Sequence, residues 1–179
     1  LSDPGLVGMF KNEFEQFIVN DVDILIGNES EFNELSNSNE EALKKITDSV
    51  DIAAITLGEN GAKIIHNNET TNINANKVDN VLDSTGAGDM FAAGFLYKIL
   101  NDSSLKDSAE FGCLVASRIV TQYGARPTDD FLNFIKQNDV NFSYTFYETF
   151  ILKKKKIKTK LTNNFESFTK DTSIATSTM

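Results

Sequence analysis

The sequence predicts an α/β protein, a sheet with helices laid on it, and three observations predict this class. Two short apolar runs, residues 22–26 (VDILI) and 52–57 (IAAITL), have the length and composition of buried strands. Segments with helical spacing of apolar residues alternate with them along the chain, the pattern of a layered α/β architecture. Glycine-bearing turns, at Gly58 and at Gly86-Ala87-Gly88, punctuate the boundaries between the two kinds of segment.

Taken in order, residues 1–5 (LSDPG) read as a strand end running into a turn, because Pro4 and Gly5 both interrupt regular structure. Phe10, Phe14, Phe17 and Ile18 then recur at helical spacing. The first apolar run follows, and residues 28–35 and 40–46 turn back into helix. After the second run, residues 62–66 and 70–73 flank Asn67-Asn68, which predicts a hairpin, although the favoured turn pair carries Gly second. Residues 78–82 look like a further strand approaching Gly86-Ala87-Gly88. A helix over 89–100 offers Phe91, Phe95, Leu96 and Ile99 to one face. Another over 107–123 has a face of small residues, Ala109, Gly112, Cys113 and Ala116, and Gly124 to Pro127 end it. A last short helix is expected over 128–135. No internal repeat is visible.

At 179 residues the chain can hold one domain with a sizeable core, and 40% hydrophobic with 24% charged residues is globular rather than disordered composition. The net charge of −9 excludes a general nucleic-acid binder, which needs a basic footprint. The charge is uneven: residues 151–179 hold seven Lys against Glu166 and Asp171, while residues 1–150 carry −14. Periodicity is also lost past Asn138, so the expected division is a domain over 1–137 and a divergent, Lys-rich, poorly ordered tail over 138–179. A single cysteine, Cys113, forbids an intrachain disulfide and suits a reducing compartment, with the cytoplasm as the expectation. Neither a transmembrane run nor a signal peptide is expected.

The sharpest motif is Asp83-Ser84-Thr85-Gly86-Ala87-Gly88-Asp89, at the start of the expected long helix. Glycines let an anion approach the backbone, and free amides at a helix start point outward with the helix dipole behind them. Gly86, Ala87 and Gly88 can thus form a pocket of N–H donors, with the Asp89 carboxylate ionised and able to accept a hydroxyl proton. Read alone, the same residues are equally a turn followed by a capping carboxylate. The pattern lacks the Gly-Lys-Ser/Thr of a Walker A loop, and Phe91 breaks a dinucleotide fingerprint. A second motif, Thr56-Leu57-Gly58-Glu59-Asn60-Gly61, follows a buried strand where ligands collect in open α/β sheets. Gly58 and Gly61 would let a nucleotide lie on backbone, although an ordinary strand-to-hairpin turn explains them by themselves. In the third, Asn28-Glu29-Ser30-Glu31, an amide and a carboxylate could orient phosphate and hydrated Mg²⁺. Asn28 and Glu31 also have the spacing of a capping box.

The order N-x-x-E, T-L-G-x-x-G, D-x-x-G-A-G-D resembles the PfkB, or ribokinase-like, kinases over about residues 1–135. The departure is Ser84, where Thr is usual, and it keeps the hydroxyl. The resemblance implies a three-layer Rossmann-like fold of which this chain is the C-terminal half of the central sheet with its flanking helices. It implies an ATP-dependent kinase with Asp89 as catalytic base and Gly86, Ala87 and Gly88 as anion hole. Thr56, Gly58 and Gly61 would line the ATP site, with Asn28 and Glu31 in the phosphate and Mg²⁺ region. Asp83 resembles a position that helps hold a monovalent cation such as K⁺ in several members. The stretches L-S-D-P, V-L-D-S-T-G-A-G-D-M-F-A-A-G-F-L and Y-G-A-R-P look most like bacterial adenosine kinase-like members, which sets a nucleoside slightly ahead of ribose or fructose as acceptor. Such enzymes are nearly twice this length, and their N-terminal half supplies most of the acceptor site and a lid. The expected partners are a small nucleoside or sugar, neither nucleic acid nor membrane, and a second copy in a homodimer of the full-length form. An inactive truncated remnant that at most binds nucleotide is the alternative.

Overall fold

A computed structural model describes Leu1 and residues 3–138, so the expected tail from 139 onward lies outside the described residues. The chain divides after Phe131 into a first compact unit, Leu1–Phe131, and a second unit that begins at Leu132. Everything that bears on the candidate site lies in the first.

The first unit opens with α1 (Pro4–Met9), not with a strand end. Asp3 caps it by accepting from the Leu6 N–H, and Pro4 stands where its missing N–H costs nothing. The Pro-Gly pair that reads as a turn is thus a helix start. Helix α2 (Lys11–Asp21) follows, but only Ile18 of the expected apolar face is fully buried, while Phe10 and Phe17 are exposed. Strand β1 (Ile24–Asn28) leads into α3 (Glu29–Ser36) and α4 (Glu40–Thr47). Strand β2 (Ile52–Thr56) leads through a 3₁₀ turn (Gly58–Asn60) into the hairpin of β3 (Ala62–His66) and β4 (Glu69–Ile73). Asn67 and Asn68 both take positive φ there, 50° and 62°, so the Asn pair serves the hairpin turn without a glycine. His66, at the end of β3, is half-buried, with Nδ1 2.7 Å from the Asp51 carbonyl oxygen.

The four strands form one sheet in the order β1-β2-β3-β4, the first pair parallel and the other two antiparallel. Alternate residues of the parallel pair face opposite layers, and both layers are apolar. Leu25, Ala53 and Ile55 pack with Val7, Ile18, Phe32, Leu35 and Ile46 of α1 to α4. Ala54, Ala62, Ile64 and Ile73, with Ile24, Ile26 and Ile52 beside them, pack against Phe91, Phe95, Ala109 and Cys113. This is why the two runs read as continuously hydrophobic: a strand covered on both faces has no polar side to alternate with.

The second layer is α5 (Ala87–Leu100) and α6 (Leu105–Ile119), with Ser104 capping the latter through the Asp107 N–H. The two helices meet at Gly94 and Gly112. A Cβ on Gly112 would lie 2.9 Å from the Phe91 carbonyl oxygen, so part of the small-residue face of α6 exists for close packing. Residues 78–82 are not a strand of this sheet. The N–H groups of Leu82 and Asp83 donate to the Val120 carbonyl at 2.9 and 3.4 Å, and Val81 and Leu82 are exposed. The segment has strand composition, but its backbone partner among the described residues is a single carbonyl just past α6. A final helix, α7, covers Asp129–Asn138.

Candidate active site

The parallel pairing of β1 and β2 sets Asn28 opposite Thr56, so the first two motifs leave the sheet side by side at its C-terminal edge. Thr56 Oγ1 donates to the Gly27 carbonyl at 3.4 Å, tying the two strand ends together. Past Thr56, Gly61 takes φ +90° and ψ −126°, a region only glycine enters freely. A Cβ there would lie 2.0 Å from the Ile73 carbonyl oxygen and 2.6 Å from Ala75 N, so the turn is pressed flat against the chain leaving β4.

The third motif enters from the α5 side. Gly86 is the N-cap of α5, in the left-handed conformation at φ +84°, and no side chain caps the helix. Ala87 N–H donates to Ser84 O at 3.2 Å and Met90 N–H to Gly86 O at 2.9 Å. The N–H groups of Gly88 and Asp89 have no acceptor among the described residues. The helix start therefore presents open donors with the positive end of its dipole, as an anion site requires. Asp89 sits exposed in this first turn.

Between the two motifs lies a cavity of about 620 Å³. Thr56, Gly58 and Gly61 line one side, and Ser84, Ala87 and Gly88 another. Phe91, Cys113, Ala116, Ser117 and Val120 of α5, α6 and the following residue form a largely apolar wall. The volume suits a nucleotide-sized ligand. Burial pushes the Cys113 thiol up to about 11, with the nearby Glu110 carboxylate adding to the effect, so the wall offers a neutral surface. The small-residue face of α6 thus does two things: Gly112 admits Phe91, and Cys113 and Ala116 leave room in the cavity.

Asp83 is shared between two loops. Its Oδ1 accepts from the Thr85 N–H at 2.9 Å and its Oδ2 from the Gly124 N–H at 2.9 Å. Hydrogen bonding from the Thr85 side chain, then from the backbone of Thr85 and of Gly124, holds its carboxyl below the ordinary carboxylate range.

Asn28 and Glu31 do not line the cavity. They form a complete capping box at the start of α3: Glu31 N–H donates to Asn28 Oδ1 at 2.9 Å, and Asn28 N–H to Glu31 Oε2 at 2.8 Å. Glu31 is only 3% exposed. Gly86, Asp89 and Asp83 likewise adjoin the cavity residues in sequence without forming its wall. Among the described residues no group of three or more His, Cys, Asp or Glu could hold a metal ion. Sequence reasoning missed the loop after β4, where Ala75, Asn76, Lys77, Val78 and Asp79 complete the cavity rim. It carries no motif, and the strand-like composition of residues 78–82 masked it.

The sheet, the glycine turn and the uncapped helix together define an α/β protein with a cleft beside an open helix start. Comparison with known proteins narrows this. Residues 1–144 match the model of the pfkB family carbohydrate kinases, and the chain belongs to that family. It is 32% identical over 156 residues to a ribokinase of Dictyostelium discoideum, covering 78% of this chain and 46% of that protein. Among solved structures it is similar to the adenosine kinase of Sinorhizobium meliloti, with 30% identity and a TM-score of 0.71 over 76% of this chain and 42% of the other. It is also similar to the nucleoside kinase of Methanocaldococcus jannaschii, described as an archaeal member of the ribokinase family, with 27% identity, a TM-score of 0.63 and coverage of 76% and 48%. The fold is therefore that of the ribokinase-like kinases, and the chain spans less than half the length of each of these relatives. Among the described residues no helix is long and apolar enough to cross a membrane.

Proposed function

We propose that this chain carries the ATP site and catalytic base of a kinase that moves the γ-phosphoryl group of ATP to a hydroxyl of a small nucleoside or sugar. The observation that carries the reading is the cavity that runs from the Gly58–Gly61 turn to the uncapped start of α5. Base and ribose would lie against Val78, Cys113 and Ala116, with Thr56, Gly58 and Gly61 along the phosphates. The amides of Gly86 and Gly88 would receive the transferring group, where positioned donors act on charge as it develops. The Ala87 N–H, which donates to Ser84 O at 3.2 Å, would have to leave that carbonyl to join them. Asp89, exposed beside those amides, would take the proton of the acceptor hydroxyl as the oxygen attacks phosphorus and ADP leaves.

Mg²⁺ belongs to this reading as an ion brought in on the triphosphate, where it would neutralise phosphate charge. Glu31 fits only that mode: it is nearly buried and one carboxylate oxygen already serves the cap, so it would act through water, the kind of sparse coordination Mg²⁺ tolerates. A K⁺ ion near Asp83 would have to share carboxylate oxygens that both already accept backbone hydrogen bonds. Adenosine is placed slightly ahead of ribose and fructose as acceptor, supported by the likeness to the adenosine kinase structure, while the ribokinase relative supports the sugar. A cytoplasmic location and a homodimer of the full-length form go with the same reading.

The test is ATP binding by calorimetry, then ATP consumption with Mg²⁺ and adenosine, ribose or fructose offered separately, by this chain and by a form extended upstream of Leu1. Turnover with one acceptor assigns the substrate class. ATP binding without turnover in either form supports a remnant that only holds nucleotide, and absence of ATP binding in both refutes the proposal.

A further inference from the structure

We infer that Asp83 is a positioning residue: a latch that fixes the α5 anion hole by fastening the glycine turn to the loop that follows α6. The inference rests on the proposed function for its meaning, and on geometry for its existence.

Four contacts join the two loops, beside one bond within the glycine turn. Asp83 Oδ1 accepts from Thr85 N–H within its own turn, and Oδ2 reaches across to Gly124 N–H, each at 2.9 Å. The Leu82 and Asp83 amides donate to the Val120 carbonyl. Gly86 lies against the same loop so closely that a Cβ would stand 2.6 Å from Ala125 Cβ and 2.9 Å from its Cα. A carboxylate accepting two backbone donors makes charge-assisted bonds, stronger than neutral ones. The anion hole itself has no side-chain cap to hold its shape. Its outward-facing amides keep their aim only if something behind them is fixed, and among the described residues the Asp83 carboxylate is the side chain that hydrogen-bonds across the two loops. An amide at position 83 offers one acceptor oxygen and turns its NH₂ toward a second donor, so Asp83→Asn opens one side of the latch.

The first experiment is amide hydrogen exchange on the whole chain, wild type and Asp83→Asn, in K⁺ buffer and in a buffer whose only cation is tetramethylammonium. A latch predicts that residues 84–89 and 121–126 loosen together by about tenfold in both buffers, while β1 to β4 keep their protection. Loosening confined to 84–85, or none, overturns it. Loosening seen only with K⁺ also overturns it and assigns Asp83 to the cation instead. Global loss of protection would make Asp83 a general stability residue, which likewise overturns the latch.

The second arm reads the anion hole. Calorimetry with ADP, and with ADP plus Mg²⁺ and aluminium fluoride, is expected to show near wild-type ADP affinity in Asp83→Asn and at least tenfold weaker binding of the fluoride complex. Equal loss of both overturns positioning of the transferred group. If the wild type binds neither, the proposed function fails, and hydrogen exchange still decides the latch.

Discussion

Two helix starts in this molecule are finished in opposite ways. Helix α3 begins straight after β1 with a reciprocal box, Asn28 and Glu31 each satisfying the other's backbone donor. Helix α5 begins after an irregular loop with a left-handed glycine, no side-chain cap and, among the described residues, no acceptor for the amides of Gly88 and Asp89. Both starts belong to motifs with a carboxylate three residues after the N-cap. In α3 that carboxylate is nearly buried and folded back on the cap, and in α5 it is exposed. A helix start that satisfies itself is a structural joint, whereas one that leaves donors open can stabilise charge supplied from outside. The contrast teaches that motif spacing alone does not distinguish the two.

The largest effect is expected at the open start. In an active, extended form, Asp89→Asn should lower turnover by about 10²–10⁴-fold with ATP affinity little changed, as loss of a general base does. Comparable kcat in the variant would remove Asp89 from the mechanism. Next comes the turn that forms the other side of the cavity. Gly61→Ala forces a Cβ into the Ile73 carbonyl and a side chain into a glycine-only conformation, so destabilisation on the order of 3 kcal/mol or more is expected. Urea melts should show the loss, and an unchanged midpoint would contradict the close approach.

The closed start should respond more mildly. Asn28→Ala removes a cap and should cost about 1 kcal/mol of stability, leaving ATP affinity within a factor of two or so. A larger loss of ATP affinity than of stability would move Asn28 from joint to ligand site and break the comparison. Near neutral pH the smallest effect belongs to Cys113. With its thiol at about 11, roughly 10⁻³ of it is thiolate at pH 8, so alkylation of the folded chain should be slow and should slow further with ADP bound. The sign for stability follows: the folded state favours the protonated thiol, so the contribution is full below the ordinary value of 9.0 and is lost as pH rises toward about 11. Rapid labelling at pH 8, or a melting temperature that rises over that alkaline range, would contradict the buried placement.

Much of the fold was legible, because the parallel strands are buried on both faces and leave uninterrupted apolar runs. The hairpin was legible from its spacing around Asn67-Asn68. Two segments were misread for local reasons. Pro4-Gly5 resembles a turn until Asp3 is seen capping α1, and residues 78–82 have strand composition with no strand beside them. The exposure of Phe10 and Phe17 could not be read either, since helical spacing gives a face but not what covers it.

By itself the sequence determined the α/β class, the order of the three motifs and the glycines at the turns, because these depend on local periodicity and on what a residue without a side chain permits. The tertiary structure decided which motifs share a cavity. Packing of α5 and α6 brings the Gly58–Gly61 turn and the Ala87-Gly88 start of α5 to one volume. The capping box draws Asn28 and Glu31 into the start of α3, and Asp83 is fastened to an amide 41 residues away. Those outcomes depend on long-range contacts, and no short stretch of the chain encodes which distant donor a carboxylate will meet.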